Sequence, residues 1–144
     1  AAQIDDKTLA ELEQYVEIMA TTGPSDEAGE VADHAFHRAI ASASGNAAIT
    51  HVIETLWKMR TDIEPVKAVY DSVCSEDFGA RASEHSDILD ALRAHDPAKA
   101  RIAMRQHFTR LLESMLDVTE ERALEELRRQ ATESRNRYLK SATI

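Results

Sequence analysis

A chain of 144 residues is of single-domain size and long enough to bury a real core. Its formal net charge of −9 repels phosphate backbones, which argues against direct nucleic-acid binding by these residues. The one cysteine, Cys74, excludes an internal disulfide and fits a reducing, cytoplasmic setting, and no apolar run approaches the ~18 residues that a membrane span requires.

Many Ala, Leu, Glu and Arg with few Gly and Pro favour helices over strands. Asp5 and Asp6 supply the cap and first-turn acid of a helix to about Ala20, with Leu9, Leu12, Val16 and Met19 as its apolar stripe. Thr21-Thr22-Gly23-Pro24 breaks it. Ser25 caps the second helix, whose apolar face includes Ala28, Val31, Ala32, Phe36 and Ile40, and Gly45 ends it. A third helix runs from about Asn46 to Asp62, with Ile49, Val52, Ile53, Leu56 and Met59 as core positions. Pro65 interrupts, and Val66 to Val73 follows as a separate helical piece. The next helix starts near Ser75 to Asp77, reaches about Ala94 and buries Ile88, Leu89 and Leu92. Asp96-Pro97 opens another, with an acidic cap and an early proline. It carries Ala103, Met104, Phe108, Leu111 and Met115. Thr119 caps a last helix to about Leu139, with Leu124, Leu127, Ala131 and Tyr138 at heptad-like spacing and Glu125–Arg129 and Glu133–Arg137 as one-turn ion pairs. No sustained apolar/polar alternation is present. The expected architecture is all-α: an antiparallel bundle of about six helices, with residues 1–144 as one domain.

Asp33 and His37 are four residues apart, so on a helix both leave one face, one turn apart. A carboxylate and an imidazole at that spacing can grip one metal ion, or form a simple side-chain hydrogen bond. The adjacent Phe36 turns this face inward, where an unpartnered Asp and His would be costly. His85 precedes Ile88 and Leu92 on its own face, and His107 lies among Ala103, Met104 and Leu111. Alone, each reads as a satisfied core histidine; together with the Asp33/His37 pair they make a candidate set of three imidazoles and one carboxylate. That set suits zinc, nickel or a similar divalent ion and can leave positions open for ligand oxygens. His34, His51 and His95 read as structural or surface residues, and Cys74 as a buried thiol. There is no His-Glu-x-x-His, P-loop, dinucleotide fingerprint or nucleophile elbow. Arg81, four residues before His85, points along the same helical face and offers a planar fork for a carboxylate. Arg60 is a second candidate and Asn46 a third.

The ordered run Asp33-x-x-Phe36-His37, Ala43-Ser44-Gly45-Asn46, Glu84-His85-x-x-Ile88 and Met104-x-x-His107 resembles the FCD domain, the C-terminal effector-sensing domain of FadR-type regulators in the GntR family. The resemblance covers about Ile4 to Leu116. It implies that Asp33, His37, His85 and His107 hold a divalent ion, zinc foremost, and that the ion and basic side chains hold a small carboxylate effector, an organic or sugar acid. It also implies a homodimer in the cytoplasm, with DNA contacted only through an N-terminal winged helix-turn-helix. That domain is absent from this sequence. Ala1-Ala2, with no initiating Met, reads as the last turn of a first bundle helix that often carries an effector-binding arginine. Two other classes remain: a small helical metalloenzyme acting on an acid, for which no general base is evident, and a structural helical module with scattered histidines.

Overall fold

The computed structural model describes residues 1–23, 26–76 and 78–141, without the side chains of residues 74–76 and 78. Among the described residues, five of the six helices begin where a side chain or a proline resolves the orphan amides of a first turn. The Asp5 carboxylate accepts the Thr8 amide at 2.7 Å and opens α1 (Asp6–Thr21). Asp26 accepts the Ala28 amide and opens α2 (Glu27–Ala43), while Ser25, the expected cap, lies outside the described residues. Gly45 leaves α2 at φ +68°, a conformation that favours glycine, and Asn46 then caps α3 (Ala47–Asp62). Pro65 sits in the first turn of α4 (Glu64–Glu76), so it begins this helix rather than interrupting one. α5 spans Phe78–Arg93; of the expected start near Ser75 to Asp77, Ser75 still belongs to α4 and Asp77 lies outside the described residues. Asp96 accepts the Ala98 and Lys99 amides at the head of α6 (Pro97–Ser141).

The 45-residue length of α6 corrects an expected break. Thr119 does not cap a new helix: its hydroxyl donates back to the Met115 carbonyl at 2.7 Å, a bond made inside a continuous helix. With no Gly or Pro between Pro97 and Ser141, nothing stops the helix. The charge pairs also fall in a different register. Arg129 binds Glu126 and Glu133, rather than Glu125.

Helix neighbours close a ring: α1 packs on α2, α2 on α3, α3 on α4, α4 on α6, α6 on α5, and α5 back on α1. The apolar core occupies one side of this ring, with Leu9, Leu12, Val16 and Met19 of α1 against Phe36 of α2 and Ile88, Leu89 and Leu92 of α5. These are the stripes read from the periodicity. One residue and one face that the periodicity turned inward are not covered. Val31 is 62 % exposed, and no described residue of α3 is buried, with Ile49, Val52, Leu56 and Met59 all about half exposed. Among the described residues there is no strand, and no helix is long and apolar enough to cross a membrane.

Candidate metal centre

The inner side of the ring is polar, and Asp33 is its hub. Its carboxylate is 1 % exposed and faces α3, α4 and α5 at once. The two oxygens have different partners. Oδ2 accepts from Arg81 Nη2 at 2.9 Å, Arg60 Nη1 at 3.1 Å and the Tyr70 hydroxyl at 3.3 Å. Oδ1 faces only imidazoles among its described contacts: His85 Nε2 at 3.1 Å and His37 Nε2 at 3.3 Å. Burial pushes the Asp33 carboxyl up, but bonds from His37 and His85 and the charges of His37 and Arg81 hold it well below the usual carboxylate range.

The three predicted histidines meet here. One ring nitrogen from each of His37, His85 and His107 lies within 4.8 Å of the others. The rings touch, with centroids 4.7 Å apart for His85–His107 and 5.4 Å for each pairing with His37. Phe36 packs edge-on against His37 and His85, and Phe108 lies against His37 and His107, so apolar rings wall the cluster.

Hydrogen bonding fixes which nitrogen faces inward. His85 Nδ1 lies 2.7 Å from the Arg81 carbonyl, which can only accept, so Nδ1 carries the proton. Nε2 of a neutral His85 then presents a lone pair to Asp33 Oδ1, and two acceptors face each other. A cation between them, or a proton on a fully buried ring, resolves that repulsion. His107 Nδ1 donates to Glu84 Oε2 at 2.9 Å, again leaving Nε2 with the lone pair. Burial and the neighbouring His85 hold His107 down to about 4 against the opposing pull of Glu84, so it is neutral at neutral pH. Glu84 is in turn anchored by both arms of Arg110. An imidazole whose outer nitrogen donates to a carboxylate or carbonyl is the usual state of a metal ligand.

The spacing fits a small ion. Ligand atoms about 2.0–2.1 Å from zinc stand roughly 3.3 Å apart in a tetrahedron. The Asp33 Oδ1 separations of 3.1 and 3.3 Å from His85 and His37 match that edge. Three imidazole nitrogens this close, with Asp33 Oδ1 beside two of them, make a donor set of the chemistry a divalent ion takes.

Beside the cluster, between α2, α3, α4 and α6, lies a cavity of about 320 Å³. Asp33, His37, Arg60, Tyr70 and His107 line it together with apolar side chains. Arg60 is held in place by stacking: its guanidinium carbon is 4.1 Å from the Trp57 ring centre and 3.4 Å from that of Tyr70. The two candidate arginines thus occupy different places. Arg81 is 6 % exposed, grips Asp33 and the Gly29 carbonyl, and does not line the cavity. Arg60 does. Asn46 is apart from both, exposed at the start of α3. His34 stacks on Trp57 and meets Glu54, outside the cluster. The Cys74 side chain lies outside the described residues.

The family model for the FCD domain matches residues 1–110, so the chain belongs to the FCD domain family of GntR-type regulators. Membership places it among regulatory effector-binding domains rather than enzymes. Among curated proteins, the Exu regulon transcriptional regulators of Escherichia coli K12, Escherichia coli O157:H7 and Shigella flexneri are each 32 % identical to it over 75 residues. That stretch is 52 % of this chain and 29 % of each relative, so the match spans less than a third of those proteins. No solved structure gives a significant match.

Proposed function

We propose that the chain is the sensing domain of a transcriptional regulator, binding one divalent ion through Asp33, His37, His85 and His107, and a small carboxylate effector beside it. Zinc suits three imidazoles and a carboxylate; nickel is the next candidate. The observation that carries the reading is the pair of outer hydrogen bonds, His85 to the Arg81 carbonyl and His107 to Glu84, which leave both Nε2 lone pairs free within the three-histidine cluster, that of His85 facing the buried Asp33 carboxylate. When bound, the ion supplies a Lewis-acidic point for one effector oxygen. Arg60, at the cavity wall, supplies a charged hydrogen bond to the other. Arg81 neutralises and orients Asp33 from below.

Because the cavity borders α2, α3, α4 and α6, an effector there favours some helix arrangements over others. An attached winged-helix domain, working as a homodimer in the cytoplasm, would carry that shift to DNA. The acidic charge of this chain is consistent with DNA contacts made elsewhere.

Elemental analysis tests the reading directly. About one divalent ion per chain is expected after purification without chelator, and His107→Ala should lose most of it. An absence of metal from the parent chain, even after dialysis against zinc, would remove the centre.

A further inference from the structure

The sequence resemblance leaves organic and sugar acids equally open, and the cavity distinguishes them. Each polar group lining it touches Asp33 or another member of the imidazole cluster: Arg60 and Tyr70 bind Asp33 Oδ2, His37 meets Oδ1, and the rings of His37 and His107 stack. Polarity is therefore confined to one end. The rest of the wall is apolar, with Ile53, Leu56, Trp57, Phe108, Leu111 and Met115 among its side chains. These side chains offer hydroxyl groups no acceptor stronger than a methionine thioether, and their only donor is the Trp57 ring N–H. A polyhydroxylated acid bound there would lose water from each hydroxyl turned to this wall without replacing those bonds. An apolar body would instead remove hydrophobic surface from water on both sides.

Resting on the proposed metal and carboxylate reading, we infer that the effector is a monocarboxylate with an apolar body, an arylalkanoic or medium-chain acid. Its carboxylate lies at the Arg60 and imidazole end, and its hydrocarbon lies along Trp57, Phe108, Leu111 and Met115. A volume of about 320 Å³ holds roughly ten water-sized atoms, enough for a carboxylate and a phenyl-sized body but not for a long acyl chain.

The test compares hydrocinnamate, octanoate and glucuronate by titration calorimetry against the zinc-loaded chain. The sole tryptophan, Trp57, reports cavity occupancy independently through its fluorescence. Hydrocinnamate or octanoate should bind at least about tenfold more tightly than glucuronate and should shift Trp57 emission. Leu111→Asn, or Met115→Gln if the first variant folds poorly, should weaken the apolar acid by about tenfold with zinc content unchanged. Equal or tighter binding of glucuronate would overturn the apolar class and leave the metal-carboxylate reading standing. If neither kind of acid binds zinc-loaded protein, both readings fall.

Discussion

Glu84 illustrates how much a single side chain governs. It touches neither Asp33 nor the cavity, yet it fixes the His107 ring by accepting from Nδ1 while Arg110 clamps it from the far side. Glu84→Gln could turn its amide nitrogen toward Nδ1 and reverse the tautomer, moving the proton to Nε2. Zinc affinity should then fall roughly 10- to 100-fold with the fold intact, measured by competition with a chromogenic chelator. Arg60→Ala and Arg81→Ala should differ in degree, since both bond Asp33 but only Arg60 lines the cavity. The first is expected to weaken acid binding by roughly 1.5 to 3 kcal/mol, with a smaller loss of metal than the second. The second should lower stability and zinc content together, because Arg81 makes the more buried and shorter of the two contacts to Asp33 and lies outside the cavity; calorimetry with elemental analysis of both variants decides. The convergence of His37, His85 and His107, with Asp33 beside the first two, was legible because each sits on an apolar helical stripe where a lone polar group needs a reason. Tyr70 and Glu84 were not. Glu84 is about 100° around the helix from His85, and only the packing of α6 reveals what it faces. One cue existed: His107 and Arg110 share a face of α6, and that pair invites an acid.

At the scale of elements, periodicity marked helical faces that seek cover without specifying the covering surface. Leu9, Leu12, Val16 and Met19 found partners, whereas the equally regular stripe of α3 stayed half exposed. The same holds for the far end of α6. Arg122 donates to the Ala68 carbonyl of α4, and beyond it every described residue except Ser134 is exposed, including Leu127 and Tyr138. Truncation after Arg122 should therefore leave the thermal midpoint close to that of the full chain. Sedimentation of the same pair tests the expected homodimer, because loss of association would assign the exposed stripe to an interface between copies. The α1–α2 junction is tighter. A Cβ on Gly29 would stand 2.6 Å from the Thr22 hydroxyl, which caps α1 by donating to the Ile18 carbonyl. Gly29→Ala should cost about 1 to 3 kcal/mol in urea denaturation.

For the molecule as a whole, the ring of helices encloses two unlike interiors, an aliphatic one between α1, α2 and α5 and a charged one around Asp33. Removing the Asp33 carboxylate strands buried guanidinium groups, so Asp33→Ala should destabilise the chain by about 3 kcal/mol or more. Zinc should raise the thermal midpoint of the parent, with little effect on this variant. The hub also has a consequence in time. The bonds that Asp33 makes to Arg60, Tyr70, Arg81 and His85 span 27, 37, 48 and 52 residues of sequence. Closing loops of that length costs entropy before any of these contacts contributes. Such contacts belong late on the folding path, after the short α1–α2 pairing has formed. Stopped-flow measurements on Asp33→Ala should accordingly find most of the lost stability in faster unfolding, with the refolding rate nearly that of the parent. The charged centre would then act as a latch that sets how long the native ring stays closed, and has little influence on how quickly it assembles.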